Sequence, residues 1–110
     1  ENYVFRSCTK LTTIIISDGV TNIGLGAFFD CNSLTSIEIP NSVTSIGTNA
    51  FFNCKSLTSI IIPESVISIG SNAFPYCSQL TIYCEAISKP VGWDDSWNSS
   101  NCPIVWGYNA

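Results

Sequence analysis

The chain has 110 residues, of which 45% are hydrophobic and 11% charged, and its net charge is −4. It is too apolar for disorder and long enough for one domain with a real core. Its basic residues, Arg6, Lys10, Lys55 and Lys89, are outnumbered by acidic ones and cannot neutralise a polyanion, which argues against a nucleic-acid partner.

One phrase recurs along the chain as Val4-Phe5-Arg6-Ser7-Cys8, Ala27-Phe28-Phe29-Asp30-Cys31, Ala50-Phe51-Phe52-Asn53-Cys54 and Ala73-Phe74-Pro75-Tyr76-Cys77, with 23 residues from each cysteine to the next. A strict period of about 20 to 50 residues predicts a solenoid, in which each copy is one coil and buries its apolar side only against its neighbours. Positions one period apart then stack, roughly 4.8 Å from one another. Cys8, Cys31, Cys54 and Cys77 read most simply as a ladder of small buried thiols, because parallel Cβ vectors do not close a disulfide easily. Cys84 and Cys102 fall off the period, and a bridge between those two is left open.

The copy beginning at Cys31 is the cleanest. Leu34, Ile37 and Ile39 have the spacing L-x-x-I-x-I, in which Ile37 and Ile39 alternate with Ser36 and Glu38, and this predicts a strand with one face inward. Pro40 cannot donate a ladder hydrogen bond and ends it, Asn41-Ser42 supplies a turn, and Val43-Thr44-Ser45-Ile46 forms a second short strand closed by Gly47. The inward columns are Ile14, Ile37 and Ile60; Ile16, Ile39 and Ile62; Val20, Val43 and Val66; Ile23, Ile46 and Ile69; and Phe28, Phe51 and Phe74. Between them, Thr13, Ser36 and Ser59, then Ile15, Glu38 and Ile61, then Ser17, Pro40 and Pro63, point outward. Isoleucines on either side of Glu38 are unusual for a solvated face. They fit either a half-exposed strand that tolerates them for their β propensity or a shallow binding strip. Ile15, Ser36, Glu38, Ser59 and Ile61 are therefore the candidate ligand-binding residues.

In the fourth copy, strict register would turn Glu85 inward without a partner, which is costly. A slip of one residue, which sends Ile82 and Cys84 inward instead, is expected. Beyond it come Trp93, Trp97 and Trp106. Trp93 and Trp97 lie four apart, which suits a turn or two of helix, and Ile104-Val105-Trp106 suits a final strand. The expected organisation is a solenoid over residues 1–84 and a Trp-rich C-terminal cap over residues 85–110, since an end coil exposes an apolar cross-section.

The pattern A-F-x-x-C-x-x-L-T-x-I-x-I-P-x-S-V-T-x-I-G resembles the BspA-like leucine-rich repeats of bacterial and protozoan surface proteins, over about residues 4 to 84. The tail also resembles a C-terminal segment common in such proteins. The resemblance implies a mostly β leucine-rich-repeat solenoid, coiled right-handed, with a parallel concave sheet, short second strands on the convex side and a C-terminal cap. It further implies cell-surface display and a non-catalytic binding or adhesion module whose concave sheet meets a host or extracellular protein or glycan. The alternative is a structural spacer or scaffold segment with no ligand of its own. The chain carries no signal peptide or anchoring segment and starts within a repeat, so it reads as part of something longer, whose uncapped first coil would allow end-to-end self-association.

Catalytic chemistry finds little here. The absence of histidine removes Ser-His-Asp and Cys-His sites and histidine-bearing zinc sites. There is no C-x-x-C pair and no phosphate-binding loop, and no cofactor is expected. Asp94 and Asp95 are adjacent, whereas a glycosidase holds its carboxyls across a scissile bond. Trp93 with Trp97 could also form a sugar-stacking platform, although capping core is the simpler reading. Asn98-Ser99-Ser100 matches the glycosylation sequon. No apolar run is long enough to cross a bilayer, so no membrane insertion is expected.

Overall fold

The computed structural model describes residues 10–109. Its strands are β1 (Thr13–Ile15), β2 (Asn22–Ile23), β3 (Ser36–Glu38), β4 (Ser45–Ile46), β5 (Ser59–Ile62), β6 (Ser68–Ile69), β7 (Thr81–Cys84) and β8 (Ile104–Trp106). All pairings are parallel. Odd-numbered strands and β8 make one face in the order β1, β3, β5, β7, β8, with β3 lying against β5, and β2, β4 and β6 make a second. The result is a parallel β-solenoid of about four turns with no helix among the described residues.

Register explains why the repeat is so strict. Ile14 lies opposite Ile37, Ile23 opposite Ile46, and Ile46 opposite Ile69, each pair one 23-residue period apart. Identical inward isoleucines therefore meet across these coil junctions. Phe51 stacks between Phe28 and Phe74, with ring centroids 5.0 and 5.2 Å away and planes within 17° and 9° of parallel. Leu34, Leu57 and Leu80, Cys31, Cys54 and Cys77, and Ala50 and Ala73 are all buried beside them. Among the described residues no buried side-chain polar atom lacks a hydrogen-bond partner.

Turns repeat as faithfully as strands. The carbonyl of Pro40 accepts from the Val43 amide and that of Pro63 from the Val66 amide. At the next corner the coils approach so closely that a Cβ on Gly47 would lie 2.7 Å from the Leu25 nitrogen, and one on Gly70 2.6 Å from the Thr48 nitrogen. Only glycine fits there, because the colliding atoms are backbone. The residue before each ladder cysteine has a left-handed backbone, with φ of 61° at Asp30, 60° at Asn53, 60° at Tyr76 and 61° at Asn101. Asp and Asn tolerate this region, and Asn53 donates its side-chain N–H to the Asp30 carboxylate at 2.9 Å.

The slip occurs where Glu85 demanded it. Ser59 pairs with Thr81, Ile60 with Ile82 and Ile62 with Cys84, one residue short of the period, so Ile82 and Cys84 are buried. Glu85 stays half-buried and accepts a hydrogen bond from the Glu64 amide at 2.9 Å. The final strand also forms, since β8 pairs with β7.

The expected helix around Trp93 and Trp97 is not there. This segment is a chain of turns whose backbone bonds run to the preceding coil: the Asp94 amide donates to Ile69, while Ser96 and Trp97 carbonyls accept from Asn72 and Ala73. Pro90 and Trp93 repeat the Pro63 and Val66 turn, and the Trp97 ring meets Phe74 edge-on at 6.4 Å. The tail thus lays down one more coil, and a helix would have left the amides and carbonyls of coil four without these partners.

Three other expectations change. Ile16 and Val20, assigned inward, are partly exposed, and with Ile14, Ile23 and Phe28 they line a cavity of about 450 Å³ at the first described coil. Pro63, assigned outward, is buried. Cys8 and the Val4–Cys8 copy lie outside the described residues.

Candidate functional site

The five candidate ligand-binding residues emerge on one face. Thr13 pairs with Ser36 and Ile15 with Glu38, and β3 packs against β5, which carries Ser59 and Ile61. All five are exposed, Ile15 most of all at 83%. The geometry extends the strip past what the sequence reading found. Ile61 pairs with Tyr83 and Tyr83 with Val105, so the outward column runs Ile15, Glu38, Ile61, Tyr83, Val105. Tyr108 leans on Tyr83 with ring centroids 5.0 Å apart. The signal was available: the slip that turns Ile82 and Cys84 inward also turns Tyr83 outward into the column of Ile61.

The strip is mainly apolar, with one carboxylate, Glu38, among Ile15, Ile61, Tyr83 and Val105. Each isoleucine stands on a strand whose alternate residues are core, so the backbone holding it is fixed from beneath. Such a surface favours burying partner side chains over binding ions.

The remaining candidates do not form sites. Both indoles of the supposed sugar platform are inside the protein, Trp93 at 2% and Trp97 at 4% exposure. Trp93 donates its indole N–H to the Val66 carbonyl at 3.1 Å and packs on Trp97 and Trp106 at 4.8 and 5.8 Å. Asp94 accepts from the Ser96 amide at 2.8 Å, whereas Asp95 faces Lys89 at 3.4 Å in solvent, so the two carboxylates have separate tasks. Asn98 of the sequon closes a ring on Cys102: its side-chain N–H donates to the Cys102 carbonyl at 2.9 Å and its side-chain oxygen accepts from the Cys102 amide at 3.0 Å.

Cys31, Cys54, Cys77, Cys84 and Cys102 are free thiols and all buried, so the Cys84–Cys102 bridge does not form. Cys102 instead continues the ladder, donating toward the Cys77 carbonyl at 3.8 Å, as Cys77 does to Phe51 at 2.9 Å and Cys54 to Phe28 at 3.1 Å. Hydrogen bonding with Cys77, and then burial, pushes the Cys54 thiol up. Burial alone pushes Cys84 up to about 12, and burial with the nearby Cys77 raises Cys102. The hydrogen bond with Cys54 moves Cys77 the other way, down, against the effect of burial. Cys77 is nevertheless as enclosed as the others, and a thiol without access neither ligates nor attacks. Among the described residues no group of three or more potential metal ligands gathers. Native protein treated with iodoacetamide at pH 8 is expected to leave these five cysteines unmodified on peptide mapping. Unfolding in guanidinium should expose all of them, and labelling of Cys54 in the native state would contradict the ladder.

Residues 1–86 match a family model described as a BspA type leucine rich repeat region, in six copies. Among solved structures, a leucine rich cell surface protein of Faecalibacterium prausnitzii is 40% identical with a TM-score of 0.73, over 84% of this chain and 24% of that one. A leucine rich repeat protein of T. pallidum is 27% identical with a TM-score of 0.73, over 96% of this chain and 44% of that one. The chain thus spans less than half the length of either. No curated protein sequence matches it.

Proposed function

The chain belongs to the BspA-type leucine-rich repeat family, and from that premise we propose that it is a non-catalytic binding module of a cell-surface protein, whose sheet face meets an extracellular protein. Surface display is supported by the similar cell surface protein of F. prausnitzii. The observation that carries the binding reading is the outward column Ile15, Glu38, Ile61, Tyr83, Val105, in which Ile15 is 83% exposed on a strand the core holds rigid. Apolar side chains preorganised in a line lose little freedom on binding, so the area they bury counts toward affinity. Residues 85–110 serve as the end cap, their indoles covering the last apolar cross-section of the stack.

A panel of immobilised host extracellular-matrix proteins tests this. Ile61→Lys is expected to weaken binding by about 1 to 2 kcal/mol, as loss of an interface anchor does, and to leave thermal stability nearly unchanged because the side chain faces out. If the wild-type chain binds nothing in the panel above background, the spacer reading takes its place. That reading rests on the repeat architecture alone, which stacks equally well without a ligand.

A further inference from the structure

We propose a second binding site, for a neutral sugar, centred on Tyr76 at the corner between β6 and β7, away from the sheet face. The first observation is an anomaly in a repeated position. The residue before each ladder cysteine is left-handed, and three of the four are Asp30, Asn53 and Asn101, whose short polar side chains suit that backbone. Tyr76 holds φ at 60° without that advantage. Its aromatic side chain has no short polar group to bond its own backbone, and it breaks the side-chain ladder in which Asn53 bonds Asp30.

Packing does not account for the tyrosine either. The ring is 66% exposed and its aromatic contact is an edge-on approach to Phe52 at 5.4 Å. That contact engages one side of the ring at the end of the Phe29–Phe52 stack and leaves most of it to solvent. A side chain kept at a conformational cost and offered to solvent marks a place where the surface is used.

The second observation is what the ring overlooks. Tyr76, Ser78, Ser100, Asn101 and Pro103 surround a groove of about 370 Å³ whose floor includes the buried Cys77, Leu80 and Cys102. That size falls in the range of small-ligand sites. The rim presents three hydroxyls and one carboxamide, none of them bonded to another side chain among the described residues, and no lining residue is an acid, a lysine or an arginine. A flat aromatic ring beside uncharged donors and acceptors matches a ligand with an apolar face and a hydroxylated edge, which is a pyranose. An anionic ligand would find no counter-charge in the lining.

The test is a microarray of neutral, sialylated and sulfated oligosaccharides probed with the whole chain, followed by NMR titration of the best neutral binder. Neutral glycans are expected to bind and to shift the Tyr76 ring and the Ser100 and Asn101 amides. Tyr76→Phe should keep most of the affinity, because the stacking face remains. Tyr76→Asn should stay folded, with a melting temperature close to that of wild type, since it trades the Phe52 contact for a residue suited to the left-handed backbone. It should yet lose roughly tenfold or more in affinity. Ile61→Lys should bind the sugar normally, which separates this site from the sheet face. Absence of any neutral binder, binding of anionic glycans alone, or full affinity in Tyr76→Asn would each overturn the proposal.

Discussion

Phe51→Ala is expected to destabilise the chain by about 3 to 5 kcal/mol, read from the midpoint of a urea titration. Phe51 is fully buried and is the middle ring of three, so its removal opens a gap with Phe28 on one side and Phe74 on the other. The gap cannot collapse easily. The two flanking coils are held apart by hydrogen bonds, Phe28 to Ala50 at 2.7 Å and Phe51 to Ala73 at 2.9 Å, which fix the spacing whatever fills it. Against a total of roughly 5 to 15 kcal/mol for a domain of this size, such a loss consumes a large part of the margin. Phe51→Leu, which keeps most of the volume, should cost less than half as much. Equal losses for the two variants would mean that ring stacking, rather than the gap, sets the cost.

Trp93→Ala should be at least as damaging. The truncation removes the largest of the fully buried side chains, with a cavity cost of about 3 to 5 kcal/mol. It also takes the donor from the Val66 carbonyl, and an unpaired buried acceptor adds about 1 to 3 kcal/mol. Trp93→Phe keeps a six-membered ring and loses the five-membered ring with its N–H, so it should show the hydrogen-bond cost with only a fraction of the cavity cost, and so less than Trp93→Ala. Circular dichroism at increasing protein concentration would report the further consequence, since a stack whose last coil has lost its indole core exposes apolar surface and associates. A Trp93→Ala chain that stays monomeric and as stable as wild type would remove the case for residues 85–110 as a cap.

The coil could be read from the sequence because parallel pairing makes equal positions meet: Cys31, Cys54 and Cys77 share a column for the same reason that Ile14 faces Ile37. The slip at Ile82 was legible because burying Glu85 unpaired was the worse alternative. The helix at Trp93 was misread, since a spacing of four fits both a helical face and the two inward corners of a coil, and only the bonds from Asn72 and Ala73 decide between them. Ile16 and Val20 were misassigned because the repeat fixes only their column, whereas they line the cavity at the first described coil and stay partly exposed there. Tyr76 was overlooked although the contrast with Asp30 and Asn53 was in plain view. A φ near 60° is a property of the backbone, and the letters alone did not say that this position carries one.

The shortened step between β5 and β7 limits how the molecule could grow. Any junction from β1 to β5 accepts a duplicated 23-residue cassette, since both edges of the insert would find neighbours offset by the full period. Past the slip at Thr81 the chain does not, because β7 and β8 are offset by one residue less and a 23-residue cassette inserted there would show the wrong side chains to the interior. Lengthening by tandem duplication is therefore open upstream and closed downstream, which gives the array a polarity, with a terminus that must be inherited as a unit.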